Sequence, residues 1–273
     1  MTKLLFPLLL CTATTGFAVT TAQFDGGADT PWSGGQFGNP AGPLIGSGNG
    51  PDGSDALQLT TDGVNGQGNT VAFGRTIVGP QPVVPFSFDF RLGPQAASAD
   101  GFSFALLPTS AFGTSGQVGF AGLDEDPDFA GQLAFGFDTW GNGGPFDAGG
   151  TGSDYTDISL FWDNNLIASH GGLGGLPDPR GMGLTIDDDT WHNVNGVVNF
   201  AAGTVSMTVD AFTIFNNTAV PGLTAYEWRL GIGARTGGED ENAWFDNISV
   251  GIPEPASTGL AALGLALLAR RRR

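Results

Sequence analysis

The chain has 273 residues and a mass of 28.0 kDa, enough for one large β-sandwich or two small domains. Its 46 glycines and 17 prolines approach a low-complexity composition, but 40% of the residues are hydrophobic and 21 are Phe, enough apolar surface to close a core. A formal charge of −17, from 27 acids against 10 basic residues, argues against a nucleic-acid partner, because phosphate binding needs clustered cations.

The N-terminus has a basic start at Lys3, an apolar stretch from Leu4 to Leu10, and a small-residue run closing with Thr20-Thr21-Ala22 before Gln23. This pattern predicts a secretory signal peptide over residues 1–22 and export by the Sec route. The single cysteine, Cys11, follows Leu10, which is too large for the small residue expected before a lipid-modified cysteine. Cleavage after Ala22 therefore leaves a domain with neither thiol nor disulfide.

The glycine-rich stretch from Gly26 to Gly53 is expected to be ordered loop and edge strand. Beyond it, β-rich runs recur between turn residues: Asp55 to Thr61, Thr70 to Ile77, Pro85 to Leu92, Gly101 to Leu107, Gln132 to Thr139, Asp157 to Trp162, Trp191 to Phe200, Thr204 to Val209, Trp228 to Ala234 and Ala243 to Val250. Phe86, Phe88 and Phe90 alternate along one run and must share a strand face, as must Phe102 with Phe104 and Phe135 with Phe137. No segment keeps a helical period, so the expected fold is all-β, a jelly-roll sandwich over residues 23–252.

Catalytic groups are sparse, and no enzymatic activity is expected. His170 and His192 stand on opposite sides of a long loop, not as a metal-binding pair, and read as surface or turn residues. The glutamates of the central region are Glu125, Glu227, Glu239 and Glu241; the last two share a Gly-rich loop that reads as a solvated turn, not a glycosidase acid pair. A strand from Leu133 to Phe137 runs into a loop with oxygen-bearing side chains at Asp138, Asn142 and Asp147. Such a loop can supply part of the six to eight oxygens that calcium prefers, although Asp, Asn and Gly are also ordinary turn formers.

The chain ends with Pro253-Glu254-Pro255, an apolar run that with its flanks spans 14 residues from Ala256 to Ala269, and four arginines from Arg270 to Arg273. As a helix the run would be about 21 Å long, short of a hydrocarbon core of about 30 Å. The arginines would stay cytoplasmic, so insertion would leave the preceding domain outside. This order of features resembles the PEP-CTERM sorting signal of Gram-negative exopolysaccharide producers, over residues 253–273. The resemblance implies transient membrane insertion, processing by an exosortase, and a final place at the cell surface or in the extracellular matrix. Setting aside residues 1–22 and 253–273 leaves Arg75, Arg91, Arg180, Arg229 and Arg235 as the only basic residues, against 26 acids.

Within residues 24–250, Ala99-Asp100-Gly101, then Phe137-Asp138-Thr139-Trp140-Gly141-Asn142, then Trp191-His192-Asn193-Val194, Trp228 to Gly238 and Ala243 to Val250 resemble, in that order, the legume-lectin (L-type lectin) branch of the concanavalin A-like fold. The resemblance implies a polysaccharide or glycoconjugate partner, with Asp100 accepting from sugar hydroxyls after a cis Ala99–Asp100 bond. Asn142 would donate to the sugar, Trp140 would stack on a pyranose face, and Gly119 (or Gly116 or Gly122) would offer a backbone amide. It implies Ca2+ held by Asp138, the Trp140 carbonyl, Asn142 and Asp147. The family's second, transition-metal site is expected to be absent, since Gly136 stands where that site has a glutamate and no histidine occurs near Thr156 and Asp157. Because that site buttresses the calcium loop, a structural or adhesive matrix protein without sugar binding is the alternative.

Overall fold

The computed structural model describes residues 19–25, 32–38, 43–94, 98–119, 122–127, 129–142, 151–152, 156–171 and 178–251. The expected membrane helix, Arg270 to Arg273 and Asp147 lie outside these residues.

In chain order the first strands are β1 (Val19–Ala22), β2 (Trp32–Gly38), β3 (Leu44–Gly46), β4 (Ala56–Thr60), β5 (Gln67–Phe73), β6 (Val83–Gly93) and β7 (Gly101–Pro108). After a single helical turn, α1 (Thr109–Phe112), come β8 (Leu133–Asp138), β9 (Gly141–Asn142), β10 (Thr151–Gly152), β11 (Asp157–Trp162) and β12 (Asn165–His170). The last are β13 (His192–Asn199), β14 (Thr204–Val209), β15 (Phe212–Ala219), β16 (Trp228–Arg235) and β17 (Asn242–Gly251). One sheet has the order β15-β14-β13-β6-β17-β4-β3, with β1 added on β17; the other has the order β12-β11-β8-β7-β16-β5-β2.

The alternating phenylalanines hold the sheets together. Inward positions of β6 alternate with half-buried outward ones. Phe88 stacks on Phe104 at 4.8 Å, Phe102 on Phe137 at 4.4 Å, and Phe90 meets Phe102 at 5.0 Å. The Phe88–Phe104 and Phe90–Phe102 pairs cross between the sheets, as the expected sandwich requires, whereas Phe102 and Phe137 are cross-strand neighbours within one sheet.

The seven-stranded sheet is buried on its second face too. Val118 and Leu123, from the stretch between α1 and β8, pack on its Ala72, Ala105, Leu107 and Ala134. The approach is close because the sheet offers little side chain there. Gly136, Ser103 and Gly233 form one row across β8, β7 and β16. A Cβ on Gly136 would lie 2.1 Å from the Glu125 carbonyl oxygen, and one on Gly233 2.0 Å from that of Leu123. Gly136 therefore has no room for a side chain.

Three sequence readings need correction. His170 and His192 are buried strand residues, not surface or turn positions. His170 Nε2 meets the Ile214 carbonyl at 2.7 Å, whereas His192 lies between Asp210 and Asp188 at 2.8 and 3.1 Å. Glu241 is wholly buried, while Glu239 in the same loop is exposed, so the loop is only partly a solvated turn. Finally, β12 and β15 escape the periodicity. Asp163 and Asn164, with φ of 50° and 63°, make the tight turn that folds β12 back on β11.

Candidate functional site

β7, β8 and β16 end together at one pole of the sandwich. Gly101 pairs with Asp138 on one side and Arg235 on the other, which places Asp100, Asp138 and the Arg235 side chain around one point. The Asp100 N–H donates to the Arg235 carbonyl and the Thr139 N–H to the Asp100 carbonyl, both at 3.0 Å. The Ala99–Asp100 bond is cis, as expected. Gly101 has φ 132° and would place a Cβ 2.1 Å from the Phe137 carbonyl oxygen, so only glycine fits there.

Above this backbone lies a charge network that sequence reasoning missed. Arg235 Nε is 3.2 Å from Asp100 Oδ2 and 3.1 Å from Glu125 Oε2, and its Nη2 donates to Glu125 Oε1. Asn142 Nδ2 donates to Glu125 Oε1 at 3.3 Å. Asp100 and Asn142 are thus joined through Arg235 and Glu125, with the Gly237 backbone against the Asp100 carboxylate. Asp100 is only 3% exposed, so it is the floor of the site and not an open acceptor. Burial, aided by Asp124, raises the Glu125 carboxyl well above its usual range despite Arg235. Burial also depresses Arg235, but Glu125, Asp100 and Asp124 outweigh it and the net shift is upward. The only sequence signal for this pair was scarcity: Glu125 is one of few glutamates and Arg235 one of few arginines.

Glu241 lies beneath the same backbone. Ser98 Oγ donates to it at 2.7 Å, Thr139 Oγ1 lies 3.4 Å from each carboxyl oxygen, and burial pushes its carboxyl to about 8.

Asp138 is buried, and its Oδ1 accepts from the Trp140 N–H at 2.7 Å. Trp140 is half-buried and Asn142 exposed on β9, which pairs with β10. A buried carboxylate, a turn carbonyl and an amide oxygen on alternate residues, Asp138, Trp140 and Asn142, are donors of the kind calcium takes. Among the described residues, no group of three or more His, Cys, Asp or Glu could hold a metal ion. Asp157, near where a transition-metal histidine would stand, is paired with Asp138 across the strands and accepts from the hydroxyls of Ser159 and Ser169.

Gly119 is exposed, with nothing within 4 Å of a Cβ built on it. It lies in the loop that Arg229 pins. That wholly buried guanidinium donates to the carbonyls of Phe73 at 2.9 Å, Phe112 at 3.3 Å, and Gly116. A separate shallow concavity of about 630 Å3 occupies the outer face of the larger sheet and includes Ser87, Asn195, Val197 and Thr208.

This architecture has known counterparts. Peanut lectin in complex with a nine-residue peptide aligns at a TM-score of 0.56 and 14% identity, over 85% of this chain and 96% of that one. The fold is that of the legume and L-type lectins. The exoplasmic/lumenal domain of VIP36, bound to Ca2+ and Man3GlcNAc, aligns at 0.51 and 14%, over 89% of this chain and 92% of that one. The lectin-fold likeness is the same, 0.51, to the metal-free form of VIP36. The Bauhinia forficata lectin in complex with GalNAc aligns at 0.50 and 12%, over 86% and 98% of the two chains. No curated protein matches in sequence. Residues 251–273 match the PEP-CTERM protein-sorting motif, which marks this lectin-fold chain for export and sorting at the cell surface.

Proposed function

We propose that this chain is a non-catalytic, calcium-dependent carbohydrate-binding protein, exported through its N-terminal signal and processed by an exosortase at its C-terminal motif. The observation that carries the reading is the convergence of Asp100, Asp138 and the Trp140–Asn142 turn at one pole of a lectin fold. The solved lectins of this fold bound to Man3GlcNAc and GalNAc support it. Calcium would be held by Asp138, the Trp140 carbonyl, Asn142 and Asp147, and when bound it would fix the loop and polarise what touches it. The Asn142 amide nitrogen is turned to Glu125, which directs its oxygen the other way. The sugar would meet Asn142 and the Trp140 ring at the rim, with Asp100 at the floor and Gly119 at the neighbouring loop; Arg235 holds the Asp100 carboxyl in place.

One observation favours a second reading, that of a structural or adhesive matrix protein. The Asp100 carboxylate already spends itself on Arg235 within a buried network. A glycan array with and without calcium separates the two. Calcium-dependent hits that disappear in Asp138→Ala are expected; their complete absence would leave only the matrix role.

A further inference from the structure

The fold contains four residues that the expected signal peptide would remove. Val19 to Ala22 pair antiparallel with Gly251 to Ile248 along one edge of β17, whose other edge is taken by β6. β4 covers the same edge only at Ala243 to Phe245. Without β1, the last turnless stretch of β17 would present bare backbone N–H and C=O groups to water.

The side chains of β1 are also built in. Thr20 is buried, with its hydroxyl 3.1 Å from that of Thr76. Ala22 is wholly buried and, with Phe24, packs in the main core beside Ile248 and Val250. A cut after Ala22 would remove Thr20 and Ala22 from a finished core and leave Phe24 at the new chain end.

Four residues upstream the sequence offers a better cut. Gly16-Phe17-Ala18 has small residues at the two positions that signal peptidase reads, whereas Thr20-Thr21-Ala22 has a β-branched threonine at the first. We infer that signal peptidase cleaves after Ala18, so that the mature protein begins at Val19 and its first residues are an integral strand. The mature N-terminus then lies beside Gly251, two residues before Pro253, so both processed ends leave the molecule from one strand pair.

The inference rests on residues 1–18 acting as a signal peptide, and one experiment tests both parts separately. The full-length chain is expressed in a Gram-negative host, and the N-terminal peptide of the exported protein is determined by mass spectrometry. A peptide starting at Val19 is expected. One starting at Gln23 overturns the proposed site while leaving the signal peptide intact; an exported chain that retains Met1 overturns the signal peptide itself. In full-length Ala18→Leu, processing is expected to fall at least tenfold, with uncleaved precursor accumulating. Unchanged processing to Gln23 would overturn the inference.

Discussion

Glu241 follows an exposed glycine and an exposed glutamate, yet its own carboxyl is wholly buried against Ser98 and Thr139 and pushed up to about 8. Its folded pKa exceeds its unfolded value, near 4.5. The stability it contributes is therefore fully present below about 4.5 and is lost as pH rises through about 8, by at most about 1.4 kcal/mol per pH unit. Glu125 shifts the same way, and Asp246, raised by burial to about 6, adds a window between its usual value and about 6. Glu227 has the opposite sign. Hydrogen bonds from Gly79, Thr109 and Arg75 lower it to about 2, so its contribution is lost only as pH falls toward that value. Melting temperature is thus expected to be higher at pH 6 than at pH 8. Glu241→Gln, which keeps an acceptor for Ser98, should flatten that slope; identical pH profiles for the two proteins would refute the assignment. Arg229 is a second residue with a defined cost. Its guanidinium reaches three carbonyls that a lysine ammonium cannot reach together. Arg229→Lys should lose about 2–4 kcal/mol in urea denaturation, from unmet carbonyls around a buried charge.

At the scale of elements, the loop over the seven-stranded sheet decides how the site is assembled. Its backbone rests on Gly136 and Gly233, and that contact delivers Glu125 to Arg235 and Asn142. Gly136→Ala drives a Cβ into backbone and not into a yielding side chain, so a loss of about 1–3 kcal/mol or more is expected. Gly119→Ala, in the same covering segment, meets nothing and should be nearly neutral. Equal melting temperatures for the two variants would show that the loop does not bear on the sheet. This element also marks where sequence reading stops. The Phe alternation in β6, β7 and β8 made the sandwich legible, because each strand carries its own period. The pairing of Glu125 with Arg235 was not legible: it joins a loop to a strand end 110 residues away and leaves no local pattern. β1 was hidden for a related reason, since four residues of small and β-branched type read equally well as the end of a leader.

At the scale of the whole molecule, β17 runs from the Glu241 end, beside the site, to Gly251, beside Val19. Ten residues of strand span about 33 Å, so Val19 and Gly251 lie at the pole opposite Asp100 and Asn142. A chain held at the membrane by its C-terminus would therefore present the site outward. The same molecule carries 26 acids against five arginines over residues 23–252, and this imbalance acts on stability without any site. Self-repulsion weakens the compact state, and salt screens it over about 10 Å at 0.1 M. Sodium chloride alone should raise the melting temperature gradually, and magnesium should do little more at matched ionic strength. Calcium bound at Asp138 predicts a further rise at millimolar concentration, reversed by chelator and absent in Asp138→Ala, because a ligand that binds only the folded state stabilises it in proportion to the logarithm of its concentration over Kd. If calcium, magnesium and sodium give superimposable curves at equal ionic strength, the acids act as a diffuse field and the calcium loop is not a site.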